Sequence, residues 1–162
     1  MSEKESPVCY MMIGLPYSGK STYVNNIIKK EVGNIAVMST DDIIHGICKD
    51  KKIDYNEGVK VYFKVANAIM NTRIDAQLKS KKNFVLDRTN LTKKGRERNI
   101  RRFHDAGYKV IGVVFPTPSQ AQIEKFRKNR PEQVISDGII EDMKKRFDKP
   151  TESEGFDELR KV

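Results

Sequence analysis

Residues Gly14-Leu15-Pro16-Tyr17-Ser18-Gly19-Lys20-Ser21-Thr22 fit the spacing G-x-x-x-x-G-K-[ST] without a mismatch. The chemistry this suits is phosphate binding. Backbone N–H groups of such a loop converge on phosphate oxygens, and the helix that follows adds about half a positive charge at its start. Gly14 and Gly19 relieve side-chain clashes where the backbone wraps the anion. Lys20 is placed to reach the β- and γ-phosphates, and the Ser21 hydroxyl to hold Mg²⁺. The flanks are the required ones, an apolar run Val8–Ile13 before the loop and a helix-like stretch from Thr22 to Lys30 after it. An ordinary strand–turn–helix with a chance Lys-Ser pair is the alternative, which the full pattern in its proper context outweighs. The expectation is a site for ATP or another nucleoside triphosphate with Mg²⁺, held by residues Gly14 through Thr22.

Phosphoryl transfer also needs charge neutralisation and an acceptor activated at the right point. Asp41 and Asp42 stand about twenty residues beyond Lys20, at the end of the next apolar segment. Asp41 is expected to accept the proton of an attacking hydroxyl, and Asp42 to cap a helix. Asp87, directly after the apolar Phe84-Val85-Leu86, occupies a Walker B-like position from which a carboxylate serves Mg²⁺. A turn or cap role is the alternative for it. Arg127 and Arg130, between two helices and before Pro131, read as cations of a lid that closes on the nucleotide, Arg130 being the stronger choice. Arg88, Arg96, Arg98, Arg101 and Arg102 read as a surface face.

These groups need a scaffold that brings them to one rim. Strands are expected at Val8–Ile13, Asn34–Ser39, Asn83–Leu86 and Lys109–Phe115, with helices at about Lys20–Lys30, Asn56–Ser80, Lys93–Ala106, Ser119–Asn129 and Asp137–Phe147. In the long second helix Val61, Val65, Ala68, Ile69 and Leu78 mark the apolar side. Alternation of strands and helices predicts an α/β fold: a parallel sheet of four to five strands flanked by helices, with a helical lid. Ligands of such sheets sit beyond the carboxyl ends of the strands, where each of the clusters above falls. The 162 residues read as one domain, with residues 1–7 and about 151–162 as tails.

Cys9 and Cys48 are the two cysteines, and with His45 and His104 far apart they suggest neither a disulfide framework nor a zinc site. No apolar run approaches the ~20 residues that span a bilayer. The acidic N-terminus does not resemble a signal peptide, so the expected location is cytoplasmic, with no membrane partner and a monomer favoured. The net charge of +9 fits a polyanionic partner such as DNA or RNA, or simply a set of solvated helix faces.

The loop GLPYSGKST, the STDD segment (39–42), LDRTNL (86–91) followed by KKGRER (93–98), and RKNR (127–130) together resemble the 5′-kinase module of bacteriophage-type polynucleotide kinases, in order and spacing, from about Val8 to Phe147. The resemblance implies transfer of the ATP γ-phosphate to 5′-hydroxyl ends of DNA or RNA. It assigns Lys20 and Ser21 to the phosphates and Mg²⁺, Asp41 to the general base and Arg130 to the lid. Where that family places an acceptor-phosphate arginine three residues after the base, this chain has Ile44. The phosphatase signature D-x-D-x-[TV] is missing. The P-loop domain of heterogeneous nuclear ribonucleoprotein U is similar in layout, which keeps open an ATP-binding, RNA-associated module without kinase activity. Asp41 argues against that, since a binder needs no base there. A kinase for a nucleoside or other small metabolite is the third reading.

Overall fold

The structure, a computed structural model, describes residues 5–162. Strands β1 (Val8–Ile13), β2 (Ala36–Met38), β3 (Phe84–Leu86), β4 (Lys109–Val114) and β5 (Glu158–Lys161) form one parallel sheet in the order β2-β3-β1-β4-β5. Helices α1 (Lys20–Tyr23) and α2 (Lys29–Val32) are the two ends of one helical run joined by a wider π segment, Val24–Ile28. The others are α3 (Thr40–Lys51), α4 (Tyr55–Ser80), α5 (Lys93–Asp105), α6 (Gln120–Asn129) and α7 (Asp137–Arg146). The expected α/β architecture is the one present.

Side chains of a strand alternate between its faces, and a central parallel strand is covered on both. Thus Cys9, Met11 and Ile13 of β1 join Phe84 and Leu86 of β3 in one core beneath α3, α4 and α5. Tyr10 and Met12 join Val85, Val24, Ile28 and Phe115 in the second, beneath the α1–α2 run. This two-sided burial explains why β1 and β3 read as unbroken apolar runs. Among the described residues no helix is long and apolar enough to cross a membrane.

Three expectations need correction. The stripe that α4 buries is Ala66, Met70, Ile74 and Leu78, while Val61 and Val65 are 61% and 49% exposed. Both periods fit a helix; Val59 still packs against the core, whereas Val61, Phe63 and Val65 stay exposed. Helix α3 was not foreseen. It starts at Ser39, whose side chain accepts the Asp42 N–H, so Ser39 rather than Asp42 is the cap.

The third correction is the C-terminal stretch, expected as a tail from about residue 151. It forms a 3₁₀ turn, Glu152–Glu154, and the edge strand β5. Gly112 on β4 makes room for it: a Cβ there would lie 2.7 Å from the Phe156 ring and 2.8 Å from Leu159. Asp157 accepts from the Val110 N–H at 2.8 Å and pairs with His104 Nε2 at 2.8 Å. Above all, Glu154 meets Arg96, which is no surface residue, since both side chains are 0% exposed. Arg96 Nε and Nη2 donate to the two Glu154 carboxylate oxygens at 2.6 and 3.2 Å. Its other donors go to the carbonyls of Asn90, Leu91 and Asp148. The C-terminal stretch thereby braces the loop after β3.

Removing one partner of a buried pair leaves the other charge unpaired, at about 3–5 kcal/mol. Glu154→Ala is therefore expected to lower the free energy of unfolding, measured by urea denaturation, by an amount in that range, and Val61→Ala to change it by less than about 0.5 kcal/mol.

Candidate active site

The carboxyl ends of β1, β2 and β3 deliver three short segments to one rim. The Asp87 N–H donates to the Met38 carbonyl at 2.9 Å, which carries the β2–β3 register one step beyond the strands. The Gly14 N–H donates to the Thr89 carbonyl at 3.0 Å, and Asn90 Nδ2 donates to the Met12 carbonyl at 2.6 Å. The phosphate-type loop, the start of α3 and the segment Asp87–Leu91 are thus tied backbone to backbone. Asn90 takes a left-handed φ of 48° to make its contact, a conformation asparagine tolerates better than most residues.

Within the loop, Gly14 leaves no space for a side chain: a Cβ would stand 2.8 Å from the Ser18 hydroxyl and 3.0 Å from Phe115. Leu15 and Ser18 are buried, Pro16 and Tyr17 half-buried, and Thr22 is exposed on α1. Helices α3 to α7 each begin with a Ser, Thr or Asp whose side chain accepts a first-turn N–H. By contrast α1 begins at Gly19 with no side-chain cap. Its first-turn N–H groups face the loop, as an anion cradle requires. Lys20 Nζ donates to the Gly14 and Leu15 carbonyls at 2.9 and 2.7 Å. Burial pulls the Lys20 ammonium down to about 8, while the Asp87 and Asp41 carboxylates work to keep it charged.

Ser21 Oγ donates to Asp87 Oδ2 at 3.0 Å. A hydroxyl and a carboxylate side by side are hard oxygen donors of the kind Mg²⁺ takes, completed by phosphates and water. Among the described residues there is no cluster of three His, Cys, Asp or Glu side chains poised to hold a metal alone, so this pair suits a cation that arrives with a nucleotide. Burial raises the Asp87 carboxyl above its ordinary value, with Lys20 and the Ser21 hydrogen bond opposing the shift.

Asp41 stands on the first turn of α3, and Tyr55 OH at the head of α4 donates to its Oδ1 at 2.6 Å. Oδ2 has no protein partner among the described residues. Burial and the neighbouring Asp41 charge raise Tyr55 far above the ordinary phenol range, so it stays a donor. The His45 ring stacks on Tyr55 at 4.4 Å between centroids, and its Nε2 lies 2.7 Å from Gln133 Oε1. Ile44, which stands where the polynucleotide kinases that the sequence resembles carry an arginine, is 1% exposed and belongs to the core.

The connection between α6 and α7 lies over this rim. Tyr17 of the loop is its anchor: its hydroxyl donates to the Gln133 carbonyl at 3.3 Å and accepts from the Ile135 N–H at 2.8 Å, and its own carbonyl accepts from Gln122. Arg127 stacks over the Tyr17 ring but spends its Nη2 on the Ile135 carbonyl and the Asp137 carboxylate, at 2.7 and 2.8 Å. It therefore holds the connection together in this structure. Arg130 caps α6 with its backbone and leaves its side chain exposed.

Lys20, Ser21, Asp41 and Asp87 are brought together as the spacing implied. Tyr55, His45, Gln133 and the bracing role of Tyr17 were missed, because contacts between a loop, a connection and two helix positions far apart in sequence leave no periodic signal. Arg88 was misread as surface: it is half-buried beside this rim. A cavity of about 580 Å³ opens instead at the amino ends of β2 and β3, between Val32, Asn34, Gln77 and Lys82. It holds no carboxylate or nucleophile and lies at the end of the sheet where parallel folds do not bind ligands.

Solved structures share the fold at low identity. A candidate kinase of Chloroflexus aurantiacus superposes with a TM-score of 0.73 at 14% identity, over 99% of this chain and 86% of that one. A gluconokinase of Sinorhizobium meliloti gives 0.58 at 15%, over 98% and 83%. Kti12 of Chaetomium thermophilum, solved with ADP-AlF3, gives 0.64 at 16%, over 95% and 88%. The sequence itself matches the AAA domain family AAA_33 over residues 10–150, and the chain belongs to that family of nucleotide-binding P-loop modules.

Proposed function

We propose that this chain is a polynucleotide 5′-hydroxyl kinase, transferring the γ-phosphate of ATP to the 5′-hydroxyl end of DNA or RNA. The observation that carries the proposal is the Asp41 carboxylate, fixed by Tyr55 through one oxygen and open at the other, on the same rim as Lys20 and the Ser21–Asp87 pair. A module that only binds nucleotide has no use for a carboxylate so placed.

In the proposed reaction the loop N–H groups and Lys20 take the β- and γ-phosphates, in exchange for the loop carbonyls that Lys20 now holds. The Asp41 Oδ2 accepts the proton of the acceptor hydroxyl as its oxygen bonds to the γ-phosphorus. The bond from phosphorus to the β–γ bridging oxygen breaks, and ADP leaves. Mg²⁺, held by Ser21 and Asp87 and by the phosphates, would neutralise charge on the transferring group. Closure of the α6–α7 connection excludes water, and Arg130 is free to turn inward on the developing charge. A polynucleotide acceptor is supported by the net charge of +9 and by the exposed Lys93, Lys94, Arg98 and Arg101 of α5, whose first turn adjoins the Asp87–Leu91 segment.

The test is transfer of radiolabelled phosphate from ATP to 5′-hydroxyl oligonucleotides, with nucleosides and gluconate as controls. Labelling of a control but not of the oligonucleotides would make this a metabolite kinase. Nucleotide binding without any transfer would make it a binding module. Asp41→Asn is expected to lower kcat by about 10²–10⁴ while ATP affinity stays within about twofold. Tyr55→Phe, which frees the Asp41 carboxylate to turn, is expected to lower kcat by at least about tenfold, in line with the ~1.5–3 kcal/mol of a hydrogen bond to a charged group.

A pH dependence follows from Lys20. Only its protonated form attracts phosphate, and the free protein releases that proton at about 8. Bound phosphate restores the charge, so binding takes up a proton above that pH. ATP affinity measured by calorimetry is expected to be flat below about pH 8 and to fall above it by about tenfold per pH unit. Lys20→Ala is expected to bind more weakly and to lose the decline.

A further inference from the structure

We infer that Arg88 holds an anionic group of the acceptor, a phosphate adjoining the attacking hydroxyl, and so selects phosphorylated acceptors over neutral alcohols. This rests on the phosphotransfer reading above and names the substrate class for the same site.

Two arginines bear on the segment that follows β3, Arg88 within it and Arg96 on α5, and they differ in kind. Arg96 is sealed in, with its guanidinium distributed over the Glu154 carboxylate and three carbonyls. Arg88 has one side-chain partner, the Asn67 Oδ1 on α4, 3.0 Å from Nη2. A guanidinium carries five donors, so most of those of Arg88 are uncommitted among the described residues. Among the described residues no carboxylate forms an ion pair with it. Its backbone is nevertheless fixed. Asp87 is bonded to Met38, and Asn90 Nδ2 donates to the Arg88 carbonyl at 3.3 Å.

Beyond the β2–β3 ladder, the segment that carries Arg88 and the start of α3 reach the same rim, and Asp41 is a charge that acts on Arg88. An open, oriented fork beside the base suits a phosphate, which it can grip through two parallel N–H bonds. An acceptor whose hydroxyl meets Asp41 and whose neighbouring phosphate meets Arg88 is oriented at two points. The bond from Nη2 to Asn67 restrains the guanidinium before the acceptor arrives.

The experiment measures binding of thymidine, thymidine 3′-monophosphate and a 5′-hydroxyl oligothymidylate to the full chain in the presence of ADP and Mg²⁺, by calorimetry, alongside transfer from ATP to each. The native chain is expected to bind the 3′-monophosphate at least about tenfold more tightly than thymidine, the scale of a charge-assisted pair. Arg88→Ala is expected to reduce that preference to about twofold or less with ADP affinity retained, and Arg88→Lys to recover part of it. A preference that survives in Arg88→Ala, or one that the native chain lacks, overturns the inference. So does a gain confined to the oligonucleotide, which would put the contact farther along a strand. Equal transfer to thymidine and its 3′-monophosphate leaves the kinase standing and sinks the role of Arg88. Phosphate-dependent binding lost in Arg88→Ala, without transfer to any acceptor, keeps the role and sinks the kinase.

Discussion

An ammonium group inside a backbone loop is the constraint on which the rest of this structure depends. Lys20 is drawn out of water by the turn between β1 and α1, which pulls its ammonium down to about 8, and the facing carboxylates favour its charged form. Those carboxylates cannot come from its own segment, which contains none. They come from the ends of β2 and β3, so the sheet must hold three strand ends level. The parallel register does this, and the bonds Gly14 to Thr89 and Asp87 to Met38 extend it past the last ladder rung. The same arrangement restrains the acids: Asp87 is pushed up by burial and by its acidic neighbours, and Lys20 holds it down. Each charge at the rim makes its opposite tolerable, and a nucleotide with its cation would enter that balance with both signs at once.

The rim is braced from a distance. Asn90 can hold Met12 and Thr89 can hold Gly14 only while the Asp87–Leu91 segment keeps its shape. Arg96 secures that shape by taking the carbonyls of Asn90 and Leu91. Its charge is met by Glu154, and Glu154 is held where β5 docks on β4. The last dozen residues therefore belong to the architecture of the site although none reaches it. Buried pairs of this sort are weak contributors to net stability but costly to break, which suits a part that fixes a geometry.

The architecture was legible in the sequence wherever burial is periodic or complete. Strands β1, β3 and β4 are covered on both faces and leave no polar gap to misread. The nine residues from Gly14 to Thr22 declare the loop because few spacings let a backbone enclose an anion. Elsewhere the signal was ambiguous. Val61 and Val65 satisfy a helical period as well as Ala66 and Met70 do, and only what packs beneath decides between them. Helix α3 carries a readable cap, Ser39 with Asp42 at the third position, but its few apolar residues mark no long stripe. Arg88 and Arg96 look alike in a basic run; what separates them is Glu154, some sixty residues away, whose approach depends on the small Gly112.

The donor and acceptor sides of the rim are also joined through the lid connection, and this bears on how the site would open and close. Tyr17 belongs to the phosphate-type loop and His45 to the helix that carries Asp41, yet both are bonded to Gln133, through its backbone carbonyl and its side-chain oxygen respectively. A shift of Gln133 would act on both partners, most directly on His45, whose bond is the shorter at 2.7 Å against 3.3 Å for Tyr17. Tyr17 sits at a φ of 66°, a strained value for a tyrosine that its contacts with Ile135 and Gln122 help to hold. Phosphate entering the loop would act on that backbone first. The connection would carry the change to His45, whose ring rests on the tyrosine that orients Asp41. One buried amide thus stands where occupancy of the nucleotide cradle can be felt by the proposed base.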